Sequence, residues 1–237
     1  MLPHRSARQF SLRLPLAACC LLLALLSGCA QQTRPVLAPT NSADQPMGKY
    51  EPFNLGEKGE YEQKLAAMDL VAAQQQYAAA LALMEDGDIE GAQSQLIALT
   101  REVPELSEPY VTLGLLVEQN GNIETTDTSE TREQQAQQWY ERALRANRRE
   151  DRAHHQLAVL ARKRGDFETA ERHYQAALEI QPDQPLYHRN IGILYDIYLG
   201  KPAVALEQYE TYLDLVGEDE QVSLWIVDLK SRMESGS

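Results

Sequence analysis

The side chains able to do chemistry are few, and their spacing argues against a reaction centre. His154, His155, His173 and His188 are the histidines of the chain's body. Imidazoles serve as general bases and zinc ligands. These four are spread over two stretches with no Cys or carboxylate at a fixed metal spacing. His154 and His188 also hold the same place in an internal repeat, so packing explains them better than ligation. No phosphate-cradling glycine loop, G-x-S-x-G or H-E-x-x-H occurs. The abundant acids recur at i, i+3 and i+4, as solvated helix faces do. The sequence therefore predicts a non-enzymatic chain with no cofactor, no metal site and no small-molecule substrate.

Composition sharpens this. The 237 residues carry 22 Lys+Arg against 35 Asp+Glu, a formal charge of −13, which excludes nucleic acid as a partner of the whole molecule because phosphate binding needs a basic footprint. Glycine and phenylalanine are scarce, and Ala, Leu, Gln and Glu form long runs. That mix favours helix over sheet.

The cysteines are Cys19, Cys20 and Cys29. Ahead of them Arg5, Arg8 and Arg13 form a basic head with no acid, and Leu14 to Leu26 is an uncharged, almost wholly apolar run. The run is too short for a spanning helix, which needs about 20 apolar residues. A basic head, a short apolar run and then small residues is the layout of a secretory leader. Leu26-Ser27-Gly28-Cys29 resembles the lipobox of bacterial lipoproteins. The resemblance implies cleavage after residue 28 and acylation of Cys29, palmitate included. Ala30, in place of Asp, implies sorting to the outer membrane, facing the periplasm. Losing residues 1–28 removes three arginines and no acid, moving the charge from −13 to −16. Such a chain meets an anionic membrane through its lipid and not through its folded part. Residues 29–59 read as a lipidated, flexible tether: Pro35, Pro39, Pro46 and Pro52 sit among polar residues without apolar periodicity.

Residues 60–233 are repetitive. Ala92, Ala136, Ala170 and Ala205 are spaced by 44, 34 and 35, and Gly87, Gly121, Gly165 and Gly200 by 34, 44 and 35. Leu96, Tyr140, Tyr174 and Tyr209 each follow an Ala of the first set by four. Small residues at Ala80, Gly114, Ala158 and Gly192 would let two helices cross closely, with a bulky neighbour filling the hollow. Pro104 and Pro182 close two of the units. This pattern resembles the tetratricopeptide repeat (TPR), whose period is about 34 residues. The resemblance implies an all-α solenoid of about four helix-turn-helix repeats, at 73–106, 107–150, 151–184 and 185–219. A capping helix follows at 220–233, where Val222, Trp225, Ile226, Leu229 and Met233 make one stripe. Tyr61 to Leu70 adds a helix or lengthens the first. About ten extra polar residues around Ile123 to Thr131 read as a solvated or partner-contacting loop. The fourth unit has one extra residue before Ala205.

In TPR proteins the first helix of each repeat lines a groove. The resemblance places Tyr77, Leu81, Val111, Leu115, Arg152, His155, Val159, Arg162, Arg189 and Ile193 there. From Arg145 to His173 the chain holds eight basic residues and five acids, a local cationic patch suited to an acidic peptide. The Lys/Asn set with which some TPR domains clamp a peptide terminus is not matched. Together these features resemble the TPR lipoproteins of Gram-negative envelopes. They imply an adaptor binding protein or peptide partners in a pilus or secretion, peptidoglycan-enzyme or TonB-type complex. The alternative is a pilotin-like chaperone escorting one subunit.

Overall fold

The computed structural model describes residues 53–120 and 131–235. The expected leader, Cys29, most of the tether and nearly all of the 123–131 loop lie outside the described residues. Ten α-helices follow in order: α1 Glu60–Ala66, α2 Val71–Glu85, α3 Ile89–Glu102, α4 Glu108–Asn120, α5 Arg132–Ala146, α6 Asp151–Lys163, α7 Phe167–Ile180, α8 Pro185–Ile193, α9 Pro202–Val216 and α10 Glu220–Ser235. There is no strand among the described residues, and no helix there is long and apolar enough to cross a membrane. The helices pack as sequential pairs, α2 with α3, α4 with α5, α6 with α7 and α8 with α9, and each pair stacks on the next. This is a TPR α-solenoid, with α10 stacked on α9 as its cap.

Local chemistry sets the turns. Gly87 and Gly165 adopt φ of 84° and 81°, a left-handed conformation that ends α2 and α6 without a Cβ penalty. The aspartate that follows each glycine caps the next helix. Asp88 Oδ1 accepts from Gly91 N at 2.9 Å, and Asp166 Oδ1 accepts from Thr169 N at 3.1 Å. Thr131 and Gln134 form a capping box that starts α5.

Small and large residues meet inside each pair as their register requires. A Cβ added at Gly192 would lie 2.6 Å from Tyr209 Cε1, and one at Gly114 would run into the ring of Tyr140. Ala80, Ala158 and the Ala92, Ala136, Ala170, Ala205 set are fully buried. No single repeat encloses this core. One apolar cluster runs from Ala80 through Tyr140 to Leu160, and a second runs from Ala158 through Tyr174 and Tyr209 to Leu229 of α10.

Two features depart from a plain array. The extra residue of the fourth unit lies inside its first helix: α8 runs into a π-helical turn, Leu194–Tyr198, closed by Leu199 N–H on the Leu194 carbonyl at 3.0 Å. At the other end, α1 is a helix of its own and does not extend α2. The sequence reading also ran the tether to Gly59, whereas its described end is packed. Leu55 is buried, and the Phe53 ring sits 4.4 Å from His173 and 5.3 Å from His154, with the Arg172 guanidinium 5.2 Å from its centre. A lone Phe and Leu among prolines carry no periodicity, so this docking leaves no mark in the sequence pattern.

Candidate functional site: the inner helix layer

The first helices, α2, α4, α6 and α8, stand side by side and are bonded to one another. Tyr77 Oη lies 2.9 Å from Thr112 Oγ1. Lys163 Nζ approaches Glu118 Oε1 at 3.4 Å, Tyr187 donates to Asp151 Oδ2 at 2.6 Å, and the Asn190 amide donates to His155 Nε2 at 2.7 Å. These contacts set the spacing of the layer that carries the expected groove residues.

Its two halves differ. In the first, Tyr77, Leu81 and Leu115 are half-buried, but Val111 is fully buried in the apolar core. Eight of the thirteen residues of α4 are buried, so that helix presents little surface to a ligand. In the second half, Arg152 is exposed, and Val159, Arg162, Arg189 and Ile193 are half-buried. His155 is buried: its ring stacks on Tyr187 at 4.7 Å, and Nε2 is occupied by Asn190. Burial first, and the nearby Arg162 charge second, hold its pKa down to about 4. His155 is therefore a neutral wall of the site at neutral pH, not a charged ligand.

The arginines are held by aromatic rings. Arg162 lies 5.8 Å from the centre of the Tyr198 ring, and Arg189 lies 5.4 Å from that of Trp225, with Nη2 reaching Gln221 at 3.5 Å. Burial works against the Arg162 charge, and the facing hydroxyls of Tyr174 and Tyr198 more than offset it. Tyr198 reaches this place from the π turn, and its ring lies tilted against Phe167 with centroids 4.8 Å apart. The sequence reading missed Tyr198. Its one signal was the period of 35 instead of 34 before Ala205.

The layer's carboxylates are already satisfied. Glu118 Oε2 accepts from Tyr140 Oη at 2.6 Å while its other oxygen faces Lys163, and Asp196 accepts from Arg232 of α10 at 2.7 Å. Among the described residues no carboxylate lies within ion-pair distance of Arg152, Arg162 or Arg189.

The other histidines are buried. His154 Nε2–H donates to the Arg148 carbonyl at 3.1 Å, which leaves Nδ1 to accept from His173 Nδ1–H at 2.9 Å. Burial lowers both pKa values, that of His173 to about 3. His188 sits equivalently, with Nε2 2.7 Å from the Pro182 carbonyl and Nδ1 2.9 Å from the Gln208 amide.

Residues 149–217 match the family model of the tetratricopeptide repeat. No curated protein matches the sequence. Solved structures do share the fold. MamA from residue 41 onward, of Desulfovibrio magneticus RS-1, is 16% identical with a TM-score of 0.54, over 68% of this chain and 85% of that one. A thermophilic TPR protein of Thermus thermophilus is 21% identical with a TM-score of 0.52, over 71% and 86%. PilF of Pseudomonas aeruginosa is 19% identical with a TM-score of 0.56, over 69% and 70%. At these identities the likeness is one of fold.

Proposed function

We propose that the chain is a lipid-anchored, periplasm-facing adaptor of a Gram-negative envelope, which binds an acidic segment of a protein partner on the inner layer of its third and fourth repeats. TPR solenoids are protein-interaction scaffolds, and this reading adds the address and the charge. The single observation behind the binding surface is the imbalance of the layer. Its acids are matched within the chain, while Arg152, Arg162 and Arg189 have no carboxylate partner among the described residues. Val159 and Ile193 lie half-buried beside them as an apolar floor. The address is supported by the basic head, the apolar run and Leu26-Ser27-Gly28-Cys29.

One set of variants tests both parts. Cys29→Ser should lose acylation and membrane fractionation. Arg152→Glu with Arg162→Glu should keep helix content and melting, since surface substitutions cost within about 0.5 kcal/mol. The pair should nevertheless lose binding of a Glu-rich peptide that the wild type holds in low salt and releases in high salt. Equal binding of Glu-rich and Gln-rich peptides by the wild type would overturn the surface, and a full chain recovered unacylated from the cytoplasm would overturn the address.

A further inference from the structure

Four equivalent sites cross the solenoid where the last groove position of each first helix meets the bulky residue of the second. In the second repeat they hold Glu118 and Tyr140, and the tyrosine donates to its own carboxylate at 2.6 Å. In the fourth they hold Asp196 and Tyr209, where the carboxylate beside the hydroxyl helps to raise its pKa, and Arg232 pairs with Asp196 at 2.7 Å. The third repeat breaks the rule, because Arg162 stands where its neighbours have an acid. Tyr174 is fully buried, and its hydroxyl has no hydrogen-bond partner. Arg162 leans towards that hydroxyl without a hydrogen bond of proper geometry, and its own Nε is also buried and unpaired. An orphaned buried hydroxyl has given up its bonds to water without replacement. Here it sits beside an unmatched guanidinium and under Tyr198, which the π turn brings in.

We infer that Arg162 and Tyr174 form a seat for one carboxylate of the partner, a Glu or Asp side chain, which supplies in trans the acid that Glu118 and Asp196 supply in cis. This rests on the reading of the inner layer as the binding surface and names the chemistry at its centre. A carboxylate has two oxygens, one for the tyrosine O–H and one for the guanidinium N–H. The second repeat builds a tyrosine–carboxylate–cation set of this kind at Glu118, and the fourth places the Asp196 carboxylate with Arg232 at the equivalent point, which favours carboxylate over other anions. Arg162 is half-buried on a long, flexible stem, and the seat requires it to turn outward to admit the ligand and then pair with it. The neutral His155 beside it and the aromatic face of Tyr198 keep the seat poor in water, where a charge-assisted hydrogen bond is strong.

The test uses the full chain and short, Leu- and Ala-rich fluorescent peptides, read by anisotropy. One peptide, acetylated and amidated, carries a single Glu. The second replaces that Glu by Gln, and the third lacks it but keeps a free C-terminal carboxylate. Wild type should bind the Glu peptide about tenfold more tightly than the Gln peptide, the size of one hydrogen bond to a charged group. Tyr174→Phe and Arg162→Glu should each bring that ratio close to one. Arg162→Glu should melt no lower than wild type, because it gives Tyr174 an acceptor of its own. Tyr140→Phe should leave the ratio unchanged. A ratio that survives Tyr174→Phe overturns the seat. So does tighter binding of the third peptide than of the first, which would assign the site to a chain terminus. If Arg152→Glu abolishes acidic-peptide binding while Tyr174→Phe does nothing, the surface stands and the seat falls. If wild type has no preference for Glu, both fall.

Discussion

The second and third repeats share a backbone plan and differ in the polar groups it carries. Each crosses its helices at a small residue, Gly114 or Ala158, against a tyrosine, Tyr140 or Tyr174. In the second repeat the tyrosine and the buried acid find partners within the repeat: Tyr140 donates to Glu118, and Glu150 accepts from Ser107 Oγ at 2.6 Å. In the third, cations and a hydroxyl are left without acids, and three histidines are buried neutral. A repeat that satisfies itself is a structural spacer. On the proposed reading, a repeat with unmet electrostatic demand is where a partner contributes.

Acidity should separate the two repeats most. Burial raises the pKa of Glu150 to about 7 from 4.5, with Ser107 opposing and Glu108 adding to the rise. The folded chain therefore keeps that proton where the unfolded chain has lost it, so the stability it contributes is present below pH 4.5 and is lost as pH rises through 7. The histidines run the other way. His155 at about 4 and His173 at about 3 lie below their ordinary 6.5. Their stability is present above pH 6.5 and is lost on acidification, as the unfolded chain takes up protons that the fold refuses. At about 1.4 kcal/mol per pH unit per group, moving from pH 7 to 5 costs roughly 4 kcal/mol through these two histidines, and Glu150 returns roughly 2. Glu150→Gln removes the return. The variant should be more stable than wild type at pH 8 by roughly 3 kcal/mol and should lose stability more steeply towards pH 5. Melting curves across that range check it, and parallel curves for the two proteins would mean that the carboxyl is not buried as described.

The small-to-large crossing gives the next effect. Gly114→Ala pushes a methyl into a ring whose hydroxyl is tied to Glu118, so the ring cannot retreat. Overpacking of this kind costs up to about 3 kcal/mol, less roughly 1 kcal/mol gained in helix propensity. Ala158→Gly, which gives the third repeat the second one's residue, should cost only about 1 kcal/mol. Similar melting shifts for the two would erase the distinction between a tied and an untied tyrosine.

What the sequence disclosed follows from range. The alanine and glycine columns, the α10 stripe and the Gly-Asp turns repeat at helical or repeat spacing, and packing enforces those spacings on residue type. The contacts that distinguish the repeats do not. Ser107 meets Glu150 across 43 positions, and Phe53 reaches His154 and His173 from a proline-rich stretch. No local period constrains such pairs. Val111 holds a groove position by register, yet eight of the thirteen residues of α4 are buried. The arginines were legible as a charge excess. That their tyrosine lacks an acid emerges only when equivalent positions are compared in three dimensions.

The finest test removes one oxygen from each tyrosine. Tyr140→Phe deletes a donor from a bond to a carboxylate, leaving Glu118 with the more exposed Lys163 alone. Its cost should be about 1–2 kcal/mol. Tyr174→Phe deletes a buried hydroxyl whose O–H has no acceptor and which faces only the Arg162 guanidinium, so the free protein should be unchanged or slightly more stable. The two substitutions are chemically identical and their rings are both fully buried, so packing and side-chain entropy cancel between them. Any difference in melting reports only whether the repeat supplies its own acceptor. Equal losses would mean that Tyr174 is already satisfied within the chain, and the third repeat would then be a spacer like the second.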